Sequence, residues 1–164
     1  MTAELGAWLQ PLLDRLPPPQ VRRLARSLAS GLRRRQSMRI AAQRNPDGTP
    51  YAPRRQRMLR QPAAGPLRQE RERIGAMFEK LRTSTYLRIR VSTAEAGVAI
   101  EGRSARIARI HQFGLVDQPQ AGGPHVRYAV RELLGFEETD RAWVQAHITR
   151  YLLERGGGAT DIKP

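Results

Sequence analysis

The sequence predicts an α+β fold in which a small antiparallel sheet of about three or more strands is packed by amphipathic helices, and a long basic, proline-rich arm leaves the body. The prediction has three sources. Apolar residues recur at helical spacing in several separate runs, as in Leu24, Leu28 and Leu32. From Leu87 the pattern switches to alternation, with Leu87, Ile89 and Val91 separated by Arg88 and Arg90, the signature of a half-buried strand. Between these regions, residues 49–66 carry Pro50, Pro53, Pro62 and Pro66 among Arg54, Arg55, Arg57 and Arg60, with neither period.

In chain order, Leu5, Trp8, Leu9, Leu12, Leu13 and Leu16 predict a short amphipathic helix over residues 1–18, with Thr2 as N-cap and Pro17, Pro18 and Pro19 ending it. Too short to build a core, it must dock, either on its own domain or on a neighbour. A second helix starts near Gln20 with Val21, Leu24, Leu28 and Leu32 on one side, and its apolar stripe fades into Arg33, Arg34, Arg35, Arg39 and Ala42. Asn45, Pro46, Asp47 and Gly48 suit a tight turn, because proline presets φ and glycine tolerates the exit geometry. The arm, at about 44–66, is a candidate to become ordered on a partner during assembly.

Leu67, Arg71, Ile74, Phe78 and Leu81 then predict a third helix. A turn around Ala94–Gly97 leads to Val98, Ala99 and Ile100, so residues 85–101 read as a β-hairpin. Ile107, Ile110 and His111 suggest a helical turn closed by Gly114, or a strand. After Gly122, Gly123 and Pro124, the alternation of Val126, Tyr128 and Val130 predicts a third member of the sheet. Val144, Ile148, Tyr151 and Leu152 mark a last helix, begun near Thr139 and Asp140 and ended by Gly156, Gly157 and Gly158. Residues 19–155 thus read as one α+β domain, and 156–164 as a flexible tail.

The 164 residues carry 29 Lys plus Arg against 15 Asp plus Glu, a net charge of +14 that attracts phosphate, acidic protein or anionic lipid without choosing among them. Two of the basic residues are lysines, Lys80 and Lys163, which leaves 27 arginines whose planar forks bind carboxylate or phosphate bidentately. Gln20–Arg60 holds 12 arginines and one acid, Asp47, so most of the excess charge sits there. With no cysteine, disulfides, thiol catalysis and Cys-ligated zinc are excluded. No apolar run approaches the ~18 to 20 residues of a spanning helix, and no signal peptide is recognisable. No membrane partner is expected, and the cytosol is the default place of synthesis.

Reactive constellations are missing from the sequence as well. His111, His125 and His147 show no spacing that places two metal ligands on one helix face. The acids Glu132, Glu137, Glu138 and Asp140 surround a helix start, where negative charge favours the helix dipole. Gly122 and Gly123 suit a plain loop better than an anion nest. Phosphate loop, nucleophile elbow and dinucleotide fingerprint are all lacking, so no catalytic residue, cofactor or metal is expected. Only Tyr51 interrupts the basic arm, which argues against sequence-specific nucleic-acid recognition and leaves non-specific phosphate contact open.

Four strings occur together: RRRQSMRIAAQRNPDGTPYAPRR at 33–55, MFEKLR at 77–82, ARIARIHQFG at 105–114 and GGPHVRYAVRELLG at 122–135. In this order and spacing the chain resembles the phage virion morphogenesis, or tail completion protein S, family, over residues from about Gln20 to about Arg155. The similarity covers Asn45, Pro46, Asp47 and Gly48, then Arg109, His111 and Gly114, then Pro124, Arg127, Arg131, Leu134 and Gly135. It implies a structural, non-catalytic subunit of contractile-tailed phages that acts late, at the head-proximal end of the tail, where tails join filled heads. Its location would be the virion tail or neck, with assembly in the host cytoplasm.

Tail terminators commonly form hexameric rings, and a ring contact is heterologous, one face meeting a different face of the next subunit. The expected partners are further copies of this chain, the neighbouring tail-tube, sheath or terminator and head-connector proteins, and DNA in the channel by sequence-blind contact. Arg33, Arg34, Arg35, Arg39, Arg54, Arg55, Arg57 and Arg60 are the candidates to face subunit or DNA. The competing reading is a non-specific nucleic-acid-binding protein of phage origin.

Overall fold

A computed structural model describes residues 16–54, 75–92 and 95–156. The predicted helix over 1–18, the arm beyond Arg54 with Arg55, Arg57 and Arg60, and the glycine-rich tail lie outside these residues. The long central helix α1, Pro18–Ala41, opens on the prolines read as ending an earlier helix. Their missing N–H groups and preset φ fit the first helical positions, where those donors have no intrahelical partner.

The buried face of α1 comprises Leu24, Ala25, Leu28, Ala29, Leu32, Gln36, Arg39 and Ile40. The stripe therefore does not fade at its basic end. It continues through polar side chains whose hydrogen bonds replace water. Gly31 lies in mid-helix, where glycine costs roughly 0.5–1 kcal/mol relative to alanine. The Trp143 ring is seated directly against its backbone, and a Cβ there would collide with the indole. Gln43, at φ 56, ends the helical path. The Asn45–Gly48 turn follows as expected, with Gly48 at φ 83 and its N–H donating to Asn45 O at 3.0 Å.

β1, Leu87–Val91, pairs with β2, Ala96–Ile100, as an antiparallel hairpin in the register Leu87↔Ile100 and Ile89↔Val98. Leu87 is wholly buried and Arg88 and Arg90 are exposed, as alternation requires, and both strands pack on α1. Helix α2, Ala105–Phe113, settles the choice between helix and strand, and Gly114 closes it in the left-handed conformation at φ 62. A glycine is needed there twice over, because a Cβ would also lie 2.7 Å from Val130 Cγ2. Helix α3, Glu138–Gly156, returns along α1.

Two expectations are corrected. The described end of the third helix forms turns over residues 77–82, with Phe78 at φ 65. Gln43 explains this: its side chain accepts from Met77 N (2.7 Å) and donates to Met77 O (2.9 Å), holding both backbone groups outside any helical ladder. The strand near Val126 does not join the hairpin either. β4, Val126–Arg127, pairs with β3, Val116–Asp117, so the strands divide into two separate antiparallel ribbons.

Two apolar clusters lie along α1. Leu24 and Leu28 meet Ile148 of α3, with Leu16, Val144, Tyr151 and Leu152 packed around them. Ile40 meets Tyr51, Leu81, Ala108 and Leu133, with Met77, Phe78, Tyr86 and Ile100 alongside. Burying a side chain such as Leu133 or Ile40 contributes about 1.5–3 kcal/mol.

Candidate functional site: a motif knot beside an arginine groove

Arg131 joins three of the four regions that carry the family-like strings. Its side chain is 5% exposed. Nε donates to Ala52 O at 2.7 Å, Nη2 to Pro53 O at 2.8 Å and Nη1 to His111 Nδ1 at 3.0 Å. Its backbone N–H donates to His111 O at 2.8 Å. One guanidinium thus ties the base of the arm to the end of α2 and to the strand-like segment before α3. Because His111 Nδ1 accepts, the ring is neutral with its proton on Nε2. Burial first, then the Arg131 charge, lower its pKa to about 4, against a backbone hydrogen bond at Ala129.

The imidazole is framed by aromatic edges, Phe78 at 4.9 Å and Tyr128 at 5.0 Å between ring centroids, and Phe78 meets Tyr51 at 5.8 Å. Tyr51 donates to Glu132 O at 3.2 Å, and burial pushes its phenol up to about 12. Asn45 Oδ1 accepts from Glu132 N at 2.9 Å, so the tight turn is fastened to the same segment. Asp47 accepts from Thr49 N (2.9 Å) and Thr49 Oγ1 (2.6 Å), bonds that hold its carboxyl below the usual carboxylate range. Pro46 presses on Gly135 where any Cβ would clash. Gln112 clamps Leu134 by both backbone groups, at 2.8 and 3.0 Å.

Asn45, Pro46, Asp47, Gly48, His111, Gly114, Arg131 and Gly135 therefore gather into one knot. Arg109, Pro124 and Arg127 stay on the surface. Asp47, Tyr51, His111 and Arg131 each make at least one hydrogen bond within the knot. Sequence reasoning missed what Arg131 does; the available signal was an arginine where the alternation of Val126, Tyr128 and Val130 stops.

The basic candidates separate sharply. Arg39, 5% exposed, donates to Gly135 O (3.1 Å) and Leu133 O (3.3 Å), contacts the Gln36 amide, and lies 3.6 Å from Asp140 and 3.7 Å from Glu137. Although it stood among the candidates to face subunit or DNA, its side chain is interior to the subunit. Arg35 pairs with Asp140, donates to Thr139 Oγ1 at 2.9 Å and sits 5.8 Å from the Trp143 ring centre. Asp140 also accepts from Glu137 N at 3.0 Å, capping the start of α3, so this member of the carboxylate cluster is held in structural bonds.

Arg33 and Arg34 remain, half-buried and exposed. With Arg82 and Arg150 they line a groove of about 740 Å³ between α1 and α3, floored by Trp143 and Met38. Among the described residues, none of these four arginines has a carboxylate partner. Arg150 donates to His147 Nδ1 at 3.3 Å, leaving the ring proton on Nε2, 2.8 Å from Ser27 Oγ. Burial and then Arg150 lower the His147 pKa. Arg54 is exposed where the arm leaves the knot.

Among the described residues no group of His, Asp and Glu side chains could hold a metal ion, and no helix is long and apolar enough to cross a membrane. Among the described residues the arrangement offers a segment fastened at Ala52 and Pro53 and a cationic recess.

The chain belongs to the phage virion morphogenesis family, whose model matches residues 1–153. It is 39% identical over 142 residues to the tail completion protein S of Escherichia phage P2, covering 86% of this chain and 90% of that protein. No solved structure matches.

Proposed function

We propose that this chain is a structural tail-completion subunit that acts at the head-proximal end of a phage tail and enables heads and tails to join. The observation that carries the reading is the likeness to the P2 protein over nearly the whole of both chains. The knot around Arg131 supports it, because eight of the positions quoted for the family resemblance gather there in structural contacts, and Arg109, Pro124 and Arg127 lie on the surface. In this reading the subunits form a hexameric ring in the virion. They are assembled in the host cytoplasm and flanked by tail-tube, sheath or terminator and head-connector proteins.

Exposed large apolar residues support a subunit contact. Phe113 is 64% exposed, and Phe136, Val116, Val130 and Ile107 are each more than half exposed. Such residues are costly on a lone particle and ordinary at an interface. Each face would meet a different face of the next copy, as ring closure demands.

The unpaired arginines favour a second reading, sequence-blind binding of nucleic acid, in which free subunits bind DNA with a steep salt dependence. Electron microscopy of particles decides between them. Deleting residues 55–66 leaves Ala52 and Pro53 on Arg131 and should yield unjoined or unfinished tails, with wild-type density in a ring at the tail top. Normal particles that lack the protein would sink the assembly reading.

A further inference from the structure

The groove between α1 and α3 combines four features. It is concave, and its volume of about 740 Å³ lies within the range of sites that enclose a ligand or a short segment. It presents Arg33, Arg34, Arg82 and Arg150 without a carboxylate among the described residues. Its floor has an apolar component, Trp143 and the 66%-exposed Met38. The floor is also rigidly made: the indole is seated on Gly31, flanked by the His147 ring at 5.0 Å and by Arg35, itself fixed by Asp140.

We propose that this groove docks an acidic segment of another protein of the particle, one that sets two or more carboxylates beside an apolar side chain. The arginine forks match carboxylates bidentately, and the exposed Met38 thioether receives the apolar anchor. A second copy of this chain is a poor occupant, since it brings the same +14 charge. Nucleic acid fits less well than an acidic peptide. The Trp143 ring is already engaged by His147 and Arg35, which removes the stacking platform that holds single strands. A duplex is convex and wide, and it would rest on the rim without entering a recess between two helices. The assembly reading is needed only for the source of the segment, not for the chemistry of the groove.

The test is fluorescence anisotropy of the full-length protein at physiological ionic strength, with a labelled Glu-Glu-Leu repeat peptide and a DNA duplex of matched charge. The peptide should bind about tenfold more tightly than the duplex, and R33E/R34E should weaken it by about tenfold or more. R82E/R150E, on the other wall, should do the same, which secures the result if one variant folds poorly. R88E/R127E removes the same charge elsewhere and should change affinity by less than about twofold. Equal or tighter duplex binding that competes with the peptide, no peptide binding, or an equal loss in R88E/R127E would each overturn the proposal. Phage complementation with R33E/R34E separates the two claims: lost peptide binding with normal head-tail joining leaves the groove standing and removes its role in assembly.

Discussion

Arg131 and Arg39, in the interior, and Arg33, Arg34, Arg82 and Arg150, around the groove, are the same residue type put to opposite uses. The interior pair meets carbonyl oxygens, an imidazole nitrogen and carboxylates at hydrogen-bonding or ion-pair distance. The groove arginines have no carboxylate partner among the described residues, and Arg150 meets the His147 ring. The first set is bound to the fold and unavailable to any partner; the second is repelled by itself and is open to one. Arginine content therefore says little about function until each guanidinium has been followed to its acceptors.

This contrast can be broken most forcefully at Arg131. Arg131→Ala strands the Ala52 and Pro53 carbonyls and frees the base of the arm, with an expected loss of about 2–4 kcal/mol in urea denaturation. A loss below about 0.5 kcal/mol would mean that water replaces the guanidinium, and that the knot is not what holds the arm.

The pH dependence comes next in size. His111 is neutral in the fold with a pKa near 4, below the ~6.5 of an unfolded histidine. The unfolded chain takes up its proton first as pH falls. Stability from this site is thus fully present above about pH 6.5 and is lost progressively down to about pH 4. With the shift discounted for partial exposure, the loss is about 1–2 kcal/mol. His111→Asn keeps an acceptor for Arg131 without a titrating ring, so its denaturation midpoint should fall less than wild type between pH 7.5 and pH 5. Parallel falls would locate the acid sensitivity elsewhere.

The smallest effect should be in the groove. Arg33→Ala with Arg34→Ala should change stability by no more than about 0.5 kcal/mol, since among the described residues neither side chain has an ion-pair partner to lose. Thermal unfolding would check this, and a gain is a fair outcome because like charges separate. A loss comparable to Arg131→Ala would erase the distinction between the two regions.

Much of the fold was legible because its signals are local. The hairpin follows from Leu87, Ile89 and Val91 alternating with arginines, the α2 terminus from Gly114, and the tight turn from Asn45–Gly48. The last helix follows from Val144, Ile148 and Tyr151. The failures have a common origin in distant residues. Phe78 and Leu81 have helical spacing, yet Gln43, 34 positions away, holds the Met77 backbone in turns. Val126 was read into the hairpin's sheet, although its partner is Asp117.

The candidate site divides in the same way. Charge, the shortage of reactive side chains and the strings of the knot all stand in the sequence, because composition and order need no folding. Which arginines are spent and which are free was decided only by the tertiary structure. Arg35 and Arg39 differ from Arg33 and Arg34 by where the turns of α1 point them, and by Asp140, 105 positions from Arg35, waiting on one side. A helix rotates each successive residue to a new face. A run of arginines is therefore uniform in sequence and is sorted only when another helix packs against it.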